Sequence, residues 1–150
     1  MDPRALMLSD LAVKAANESA VKAYPEESCG FLYGSDTGPT VKVVLARPVE
    51  NRRQEGRTRH YFITPEQYLE GEDYAERSGY KLVGIYHSHP DHPAIPSQKD
   101  LDGALPGFVY QILSILQGAT AEHRWWELSP DRSKFLELVP VALEPEPATS

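Results

Sequence analysis

From Leu8 to Ala23, apolar and small residues (Leu11, Ala12, Ala15, Ala16, Ala20) return every three or four positions, which predicts an amphipathic helix with Ser9 as its cap and Pro25 as its stop. The pattern then changes. Ser28-Cys29-Gly30-Phe31-Leu32-Tyr33-Gly34 is short and apolar, and Thr40 to Ala46 alternates in a β-rich manner after Gly38-Pro39, so the two segments predict a hairpin. Residues 47–59 hold five arginines (Arg47, Arg52, Arg53, Arg57, Arg59) with no period that would bury a face, which predicts a surface loop. A second helix is marked at both ends: Thr64 can cap it, Pro65 suits its first turn, Gln67 completes a capping box and Gly79 can end it after Ser78.

The run Lys81-Leu82-Val83-Gly84-Ile85-Tyr86-His87 predicts a central strand that delivers a histidine at its C-terminal end. After a proline-rich loop, Val109 to Leu116 reads as a further buried strand, and Arg124–Leu128 with Lys134–Val139 as a closing hairpin around Ser129-Pro130-Asp131. Trp125 and Trp126 would point to opposite faces of their strand, one into the core and the other exposed or at an interface. No repeat breaks the pattern, so one domain is expected over residues 1–143, followed by a disordered tail over 144–150. With 150 residues and 41% hydrophobic content the chain can bury one core.

Composition narrows the function classes. Fifteen Lys and Arg against 22 Asp and Glu give a net charge of -7, which argues against a nucleic-acid binder, since phosphate binding needs a surplus of cations on one face. No signal peptide is evident and no run approaches the ~20 apolar residues that cross a bilayer, so a cytoplasmic protein without membrane contact is expected. The single cysteine, Cys29, excludes an intrachain disulfide and a Cys-rich zinc site, and it reads as a small core residue. Any metal must therefore be held by histidines and carboxylates.

Candidate ligands of that kind are present. His87-Ser88-His89 places two imidazoles at i and i+2, which in an extended segment project to one side and can share an ion. Ser97-Gln98-Lys99-Asp100 reads as a helix start, and Asp100 could supply a third ligand, although capping alone explains these residue types equally well. A His-His-Asp set leaves a fourth tetrahedral position open, the arrangement of catalytic zinc. Hydrolysis also needs a base and an oxyanion donor, for which Glu27 and Ser97 are the candidates. Taken alone, Glu26 and Glu27 read as a solvated acidic pair. His60, His92 and His123 are assigned no ligand role, though His92 is close enough to touch substrate, and the arginine-rich segment could steer an acidic partner.

Glu27-Ser28-Cys29-Gly30, His87-Ser88-His89-Pro90 and Ser97-Gln98-Lys99-Asp100 together resemble the E, H-[ST]-H-P, S-x-x-D signature of JAMM (MPN-plus) metallopeptidases, and the resemblance extends over the order of elements from Leu8 to Val139. It implies an α/β (α+β) MPN/JAMM-like domain, cytidine-deaminase-like, with a central mixed β-sheet flanked by helices. It further implies one Zn2+ per chain on His87, His89 and Asp100, Glu27 as general base, and Ser97 hydrogen-bonding the tetrahedral intermediate. The compact length is similar to bacterial and archaeal forms, among them CysO-cysteine peptidases, which release cysteine from a sulfur carrier. The implied partner is thus a small ubiquitin-like or sulfur-carrier protein ending in Gly-Gly, cut at a peptide or isopeptide bond, with a place in cysteine biosynthesis. A non-catalytic MPN scaffold is the competing class; such members lose ligands, and this sequence keeps all of them. A zinc deaminase fits less well, because the H-x-E and P-C-x-x-C signature is absent.

Overall fold

The structure, a computed structural model, describes residues 3–143, so the expected tail over 144–150 lies outside the described residues. In chain order the elements are β1 (Ala5–Leu8), α1 (Asp10–Ala23), β2 (Cys29–Asp36), β3 (Thr40–Val49), α2 (Pro65–Ser78), β4 (Lys81–Pro90), α3 (Gln98–Asp102), β5 (Val109–Leu116), β6 (Ala119–Leu128), β7 (Phe135–Leu138) and β8 (Pro140–Ala142). The strands form one eight-stranded mixed sheet in the order β7-β6-β5-β4-β2-β3-β1-β8. β4 lies inside it, antiparallel to β2 and parallel to β5.

Both faces of this sheet are covered, and strand alternation fills two cores. On one face α1 presents Ala12, Ala16 and Ala20, whose small side chains let the helix lie close to Leu32, Val83, Tyr86, Leu113 and Trp125. On the other, α2 and the segment before it cover Phe31, Tyr33, Ile85, Tyr110, Ile112 and Trp126. Gly71 makes the second contact possible, since a Cβ there would come within 2.6 Å of the Phe31 ring. The predicted ends of both helices are found: Ser9 accepts a hydrogen bond from the Ala12 N–H, Thr64 and Gln67 form the reciprocal capping box, and Gly79 adopts the left-handed conformation at φ 78°.

Three expectations need correction. Arg47 is a β3 residue and its guanidinium lies 3.7 Å from the centre of the Tyr74 ring, so the irregular segment begins after Val49. Trp126 is only 9% exposed, because α2 and the loop before α3 cover the second face as α1 covers the first. β1 and β8 were not foreseen. At four and three residues they are too short to show alternation, and they are held by parallel pairing of β1 with both β3 and β8. Among the described residues no helix is long and apolar enough to cross a membrane.

Candidate active site

From Ile85 onward, alternation along β4 turns His87 and His89 to the α2 face of the sheet and Tyr86 and Ser88 to the α1 face. Ser88 is thereby free to do structural work. Its hydroxyl oxygen accepts the Ser28 N–H at 2.8 Å, while its own N–H donates to the Ser28 carbonyl at 3.0 Å. This clasp fixes the approach to β2 beside the end of β4, which brings Glu27 to the two histidines. Gly30 keeps the crossing tight: a Cβ there would lie 2.4 Å from the Arg47 carbonyl oxygen and 2.2 Å from the Tyr86 ring. Ser88→Ala would strand the buried Ser28 N–H, and we expect chemical denaturation to show a loss of about 1–3 kcal/mol, with turnover reduced further as Glu27 shifts.

Asp100 arrives from the other side. Ser97 caps α3 by accepting the Asp100 N–H at 3.0 Å, and the Ser97 N–H donates to Asp100 Oδ2 at 2.8 Å. The cap leaves Asp100 able to serve as a ligand, because it still turns both carboxylate oxygens to the histidines. His87 Nε2 lies 3.1 Å from His89 Nε2 and 3.2 Å from Asp100 Oδ1, and His89 Nε2 lies 3.2 Å from Asp100 Oδ2. Tetrahedral ligands with bonds of about 2.0 Å stand roughly 3.3 Å apart, close to the spacing of the two histidine nitrogens and of each nitrogen from its own Asp100 oxygen, so the three side chains suit one zinc-sized ion. The loop between β4 and α3 is pinned three times, by His89 Nδ1 to the Pro93 carbonyl (2.8 Å), Ser114 to the His92 carbonyl (2.6 Å) and Trp126 to the Ala94 carbonyl (3.2 Å). Because a carbonyl only accepts, His89 carries its proton on Nδ1 and offers Nε2 as the donor atom.

His87 is held differently. It is 1% exposed and its Nδ1 has no hydrogen-bond partner among the described residues. The Tyr61 ring stacks on it instead, with centroids 4.7 Å apart and planes inclined by 26°. Tyr61→Ala is therefore expected to weaken zinc binding roughly 10–100-fold, the usual effect of losing a group that orients a ligand, while Tyr61→Phe retains it. Competition against a chromophoric chelator reads the difference.

The charges follow from burial. Glu27 is 5% exposed, and burial lifts its carboxyl from the usual 4.5 to about 7 against the pull of the two histidines. The solvated-pair reading thus fails for Glu27 but holds for Glu26, which is half-buried with its carboxylate turned to solvent and paired with Arg57. Burial alone would raise Asp100, yet the charge and hydrogen bonds of His87 and His89 outweigh it and hold the carboxyl well below its ordinary range. Burial would lower His89, but Asp100 and the Pro93 carbonyl raise it. Cys29 is buried and its thiol is pushed up to about 12, which leaves it a core residue with no nucleophilic character.

Glu27, His89, Ser97 and Asp100 line one cleft of about 750 Å3. The Ser97 hydroxyl oxygen spends a lone pair on the cap, and its proton remains available to the cleft. His60 and His92 line the same cleft outside the triad, and His123 lies elsewhere, accepting from Trp125 Nε1 at 3.1 Å. The structure brings all five sequence candidates, Glu27, His87, His89, Ser97 and Asp100, to one place. Reasoning from sequence missed Tyr61 and gave Ser88 a place in the motif but no role, because what each does depends on contacts across the fold.

The sequence matches the model of a family described as prokaryotic homologs of the JAB domain over residues 11–128. A desampylase from Haloferax volcanii is 37% identical over 117 residues, 77% of this chain and 81% of that protein. A protein from Desulfitobacterium hafniense with a known solution structure superposes with a TM-score of 0.81 at 25% identity, covering 93% of this chain and 94% of that one. A JAB1/MPN domain protein from Archaeoglobus fulgidus superposes with a TM-score of 0.53 at 18% identity over 93% of this chain and 99% of that one, a likeness of fold.

Proposed function

The chain belongs to the prokaryotic JAB-domain family, a compact form of the JAMM/MPN proteins, and on that premise we propose that it is a zinc metallopeptidase that hydrolyses a peptide or isopeptide bond at the C-terminus of a ubiquitin-like or sulfur-carrier protein. One observation carries the reading: one ligand atom from each of His87, His89 and Asp100 lies within 4.8 Å of the other two, at the wall of an open cleft that also holds a buried carboxylate. A structural ion would have a closed ligand set; three donors with an open side suit catalysis. Similarity to a desampylase supports a conjugate or carrier as the substrate.

In this reading His87, His89 and Asp100 hold one zinc ion, which when bound supplies Lewis-acid activation of water and of the scissile carbonyl. Glu27 does the proton work. Its desolvated carboxylate is a strong enough base to accept a proton from the attacking water, and the resulting acid, with a pKa raised toward neutrality, returns that proton to the leaving amine. The Ser97 hydroxyl donates to the developing oxyanion, and α3 keeps it fixed through the cap. Because water is the nucleophile, no acyl-enzyme is formed and Cys29 takes no part. The retained ligand set also favours an enzyme over a scaffold that only binds partners.

A narrow, flexible tail such as Gly-Gly can reach a recessed triad, and release of cysteine from such a carrier would place the protein in cysteine biosynthesis. The test is incubation of the zinc-loaded protein with a small ubiquitin-like carrier extended beyond Gly-Gly and, separately, with the same carrier conjugated to a lysine side chain, followed by intact-mass spectrometry. Cleavage after the second glycine in either substrate is the expected result. Both substrates remaining intact with zinc bound would remove the carrier reading.

A further inference from the structure

The irregular segment between β3 and α2 is built as a wall of the cleft. Asn51 organises it: the side-chain amide donates to the carbonyl oxygens of Glu27 (3.2 Å) and His60 (3.0 Å), and its carbonyl accepts the N–H groups of Arg53 (3.0 Å) and Phe62 (3.1 Å). The Glu27 N–H in turn donates to the Arg57 carbonyl at 2.7 Å. The segment is therefore tied to the backbone of the residue that places its carboxylate in the cleft, so the largely exposed loop that its sequence suggests is also an ordered one.

What this wall presents is positive charge. Arg53 and Arg59 line the cleft, joined by Lys99 of α3. Five other arginines are matched by carboxylates, among them Arg52 with Glu50, Arg57 with Glu26, and Arg124 with Glu137. Arg53, Arg59 and Lys99 make no ion pair among the described residues, although the chain carries 22 carboxylates. His60, beside them, is held below its ordinary value by burial and then by the charges of Lys99, Arg53 and Arg59, a sign of the local field. Two carboxylates also line the cleft, Glu27 and Asp100, and ligation of a divalent ion by Asp100 would leave the cleft with excess positive charge. Three unmatched cations at a cleft wall in an acidic protein attract an anion and, when they are arginines, grip a carboxylate in a fork.

We propose that Arg53, Arg59 and Lys99 form an anion-binding subsite that takes a carboxylate carried by the substrate segment in the cleft, within a few residues of the scissile bond. This rests on the peptidase reading and deepens it: the substrate class is narrowed to segments with a free C-terminal carboxylate or an acidic side chain near the cut. An uncharged segment, or one with a lysine there, is disfavoured.

Binding tests the subsite apart from turnover. Zinc-loaded Glu27→Gln protein is titrated, by fluorescence anisotropy at low salt, into three labelled peptides: one ending Gly-Gly-Ala with a free carboxylate, its C-terminal amide, and an amide with Glu in place of Ala. The free acid or the Glu peptide should bind about tenfold more tightly than the neutral amide, an advantage that 0.5 M salt compresses. Which of the two leads identifies the source of the carboxylate. Adding Arg59→Gln and Lys99→Gln, exposed positions whose side chains make none of the hydrogen bonds that order the wall, should reduce the preference below twofold; Arg59→Glu with Lys99→Glu should invert it. Equal or undetectable binding of charged and neutral peptides overturns the proposal, as does a preference that survives the substitutions, which would assign the carboxylate to the zinc. Turnover of carriers by protein with Glu27 intact is scored separately. A charge preference without cleavage leaves the subsite and removes the peptidase reading, and cleavage without the preference does the reverse.

Discussion

Glu27→Gln is expected to lower turnover by about 10²–10⁴-fold while zinc content stays unchanged. Gln keeps the size of the side chain and its hydrogen-bonding capacity but cannot take up a proton, and none of the three ligand atoms is touched. Intact-mass assay of carrier cleavage, paired with zinc determination on the same sample, separates the two effects. Wild-type activity should also fall in acid as Glu27 protonates. Burial alone would set that limb near pH 7, and a divalent cation beside the carboxylate favours its ionised form, so the limb lies at or below this value. A Glu27→Gln protein that still turns over at a wild-type rate would mean that another group accepts the proton.

The same substitution has a second consequence, visible in the metal-free protein. Burial raises the folded-state pKa of Glu27 from 4.5 to about 7, so the folded form binds this proton more tightly than the unfolded chain. Below about pH 4.5 the carboxyl is neutral in both states and costs nothing. As the pH climbs through 4.5 toward 7, the unfolded chain ionises first, and the metal-free fold loses stability on the order of 3 kcal/mol by pH 8. Glu27→Gln removes that loss. Metal-free Glu27→Gln should therefore be more stable than metal-free wild type by roughly this amount at pH 8 in urea titrations, and equal to it at pH 4. Equal stability at both pH values would show that Glu27 is not desolvated. A residue that weakens the protein lacking metal is retained where function requires a strong base in a dry place.

How far the sequence discloses this molecule depends on the range of the interactions concerned. The ends of α2 are set by Thr64, Gln67 and Gly79 within the helix itself, and they are read correctly from the chain. β4 and β5 are long apolar runs and are equally legible. β1 and β8 are stabilised by pairing with distant strands, and the chain near them shows no period to detect. The candidate site follows the same rule. Alternation is enough to place His87 and His89 together, whereas the arrival of Asp100 at 3.2 Å from both histidines depends on a loop pinned by Ser114 and Trp126. Asn51 is the clearest case: four hydrogen bonds make it the organiser of the cleft wall, yet in sequence it is one polar residue in a polar stretch. Tyr61 is equally silent, since its stacking on His87 joins residues 61 and 87 across two elements.

X-ray absorption at the zinc edge, on protein loaded with one equivalent of Zn2+, addresses the arrangement of His87, His89 and Asp100 most directly. The account predicts a four-coordinate shell of nitrogen and oxygen at about 2.0–2.1 Å with the outer-shell scattering of two imidazoles. Sulfur at about 2.3 Å, which only Cys29 or a methionine could provide, or a shell without imidazole would contradict it.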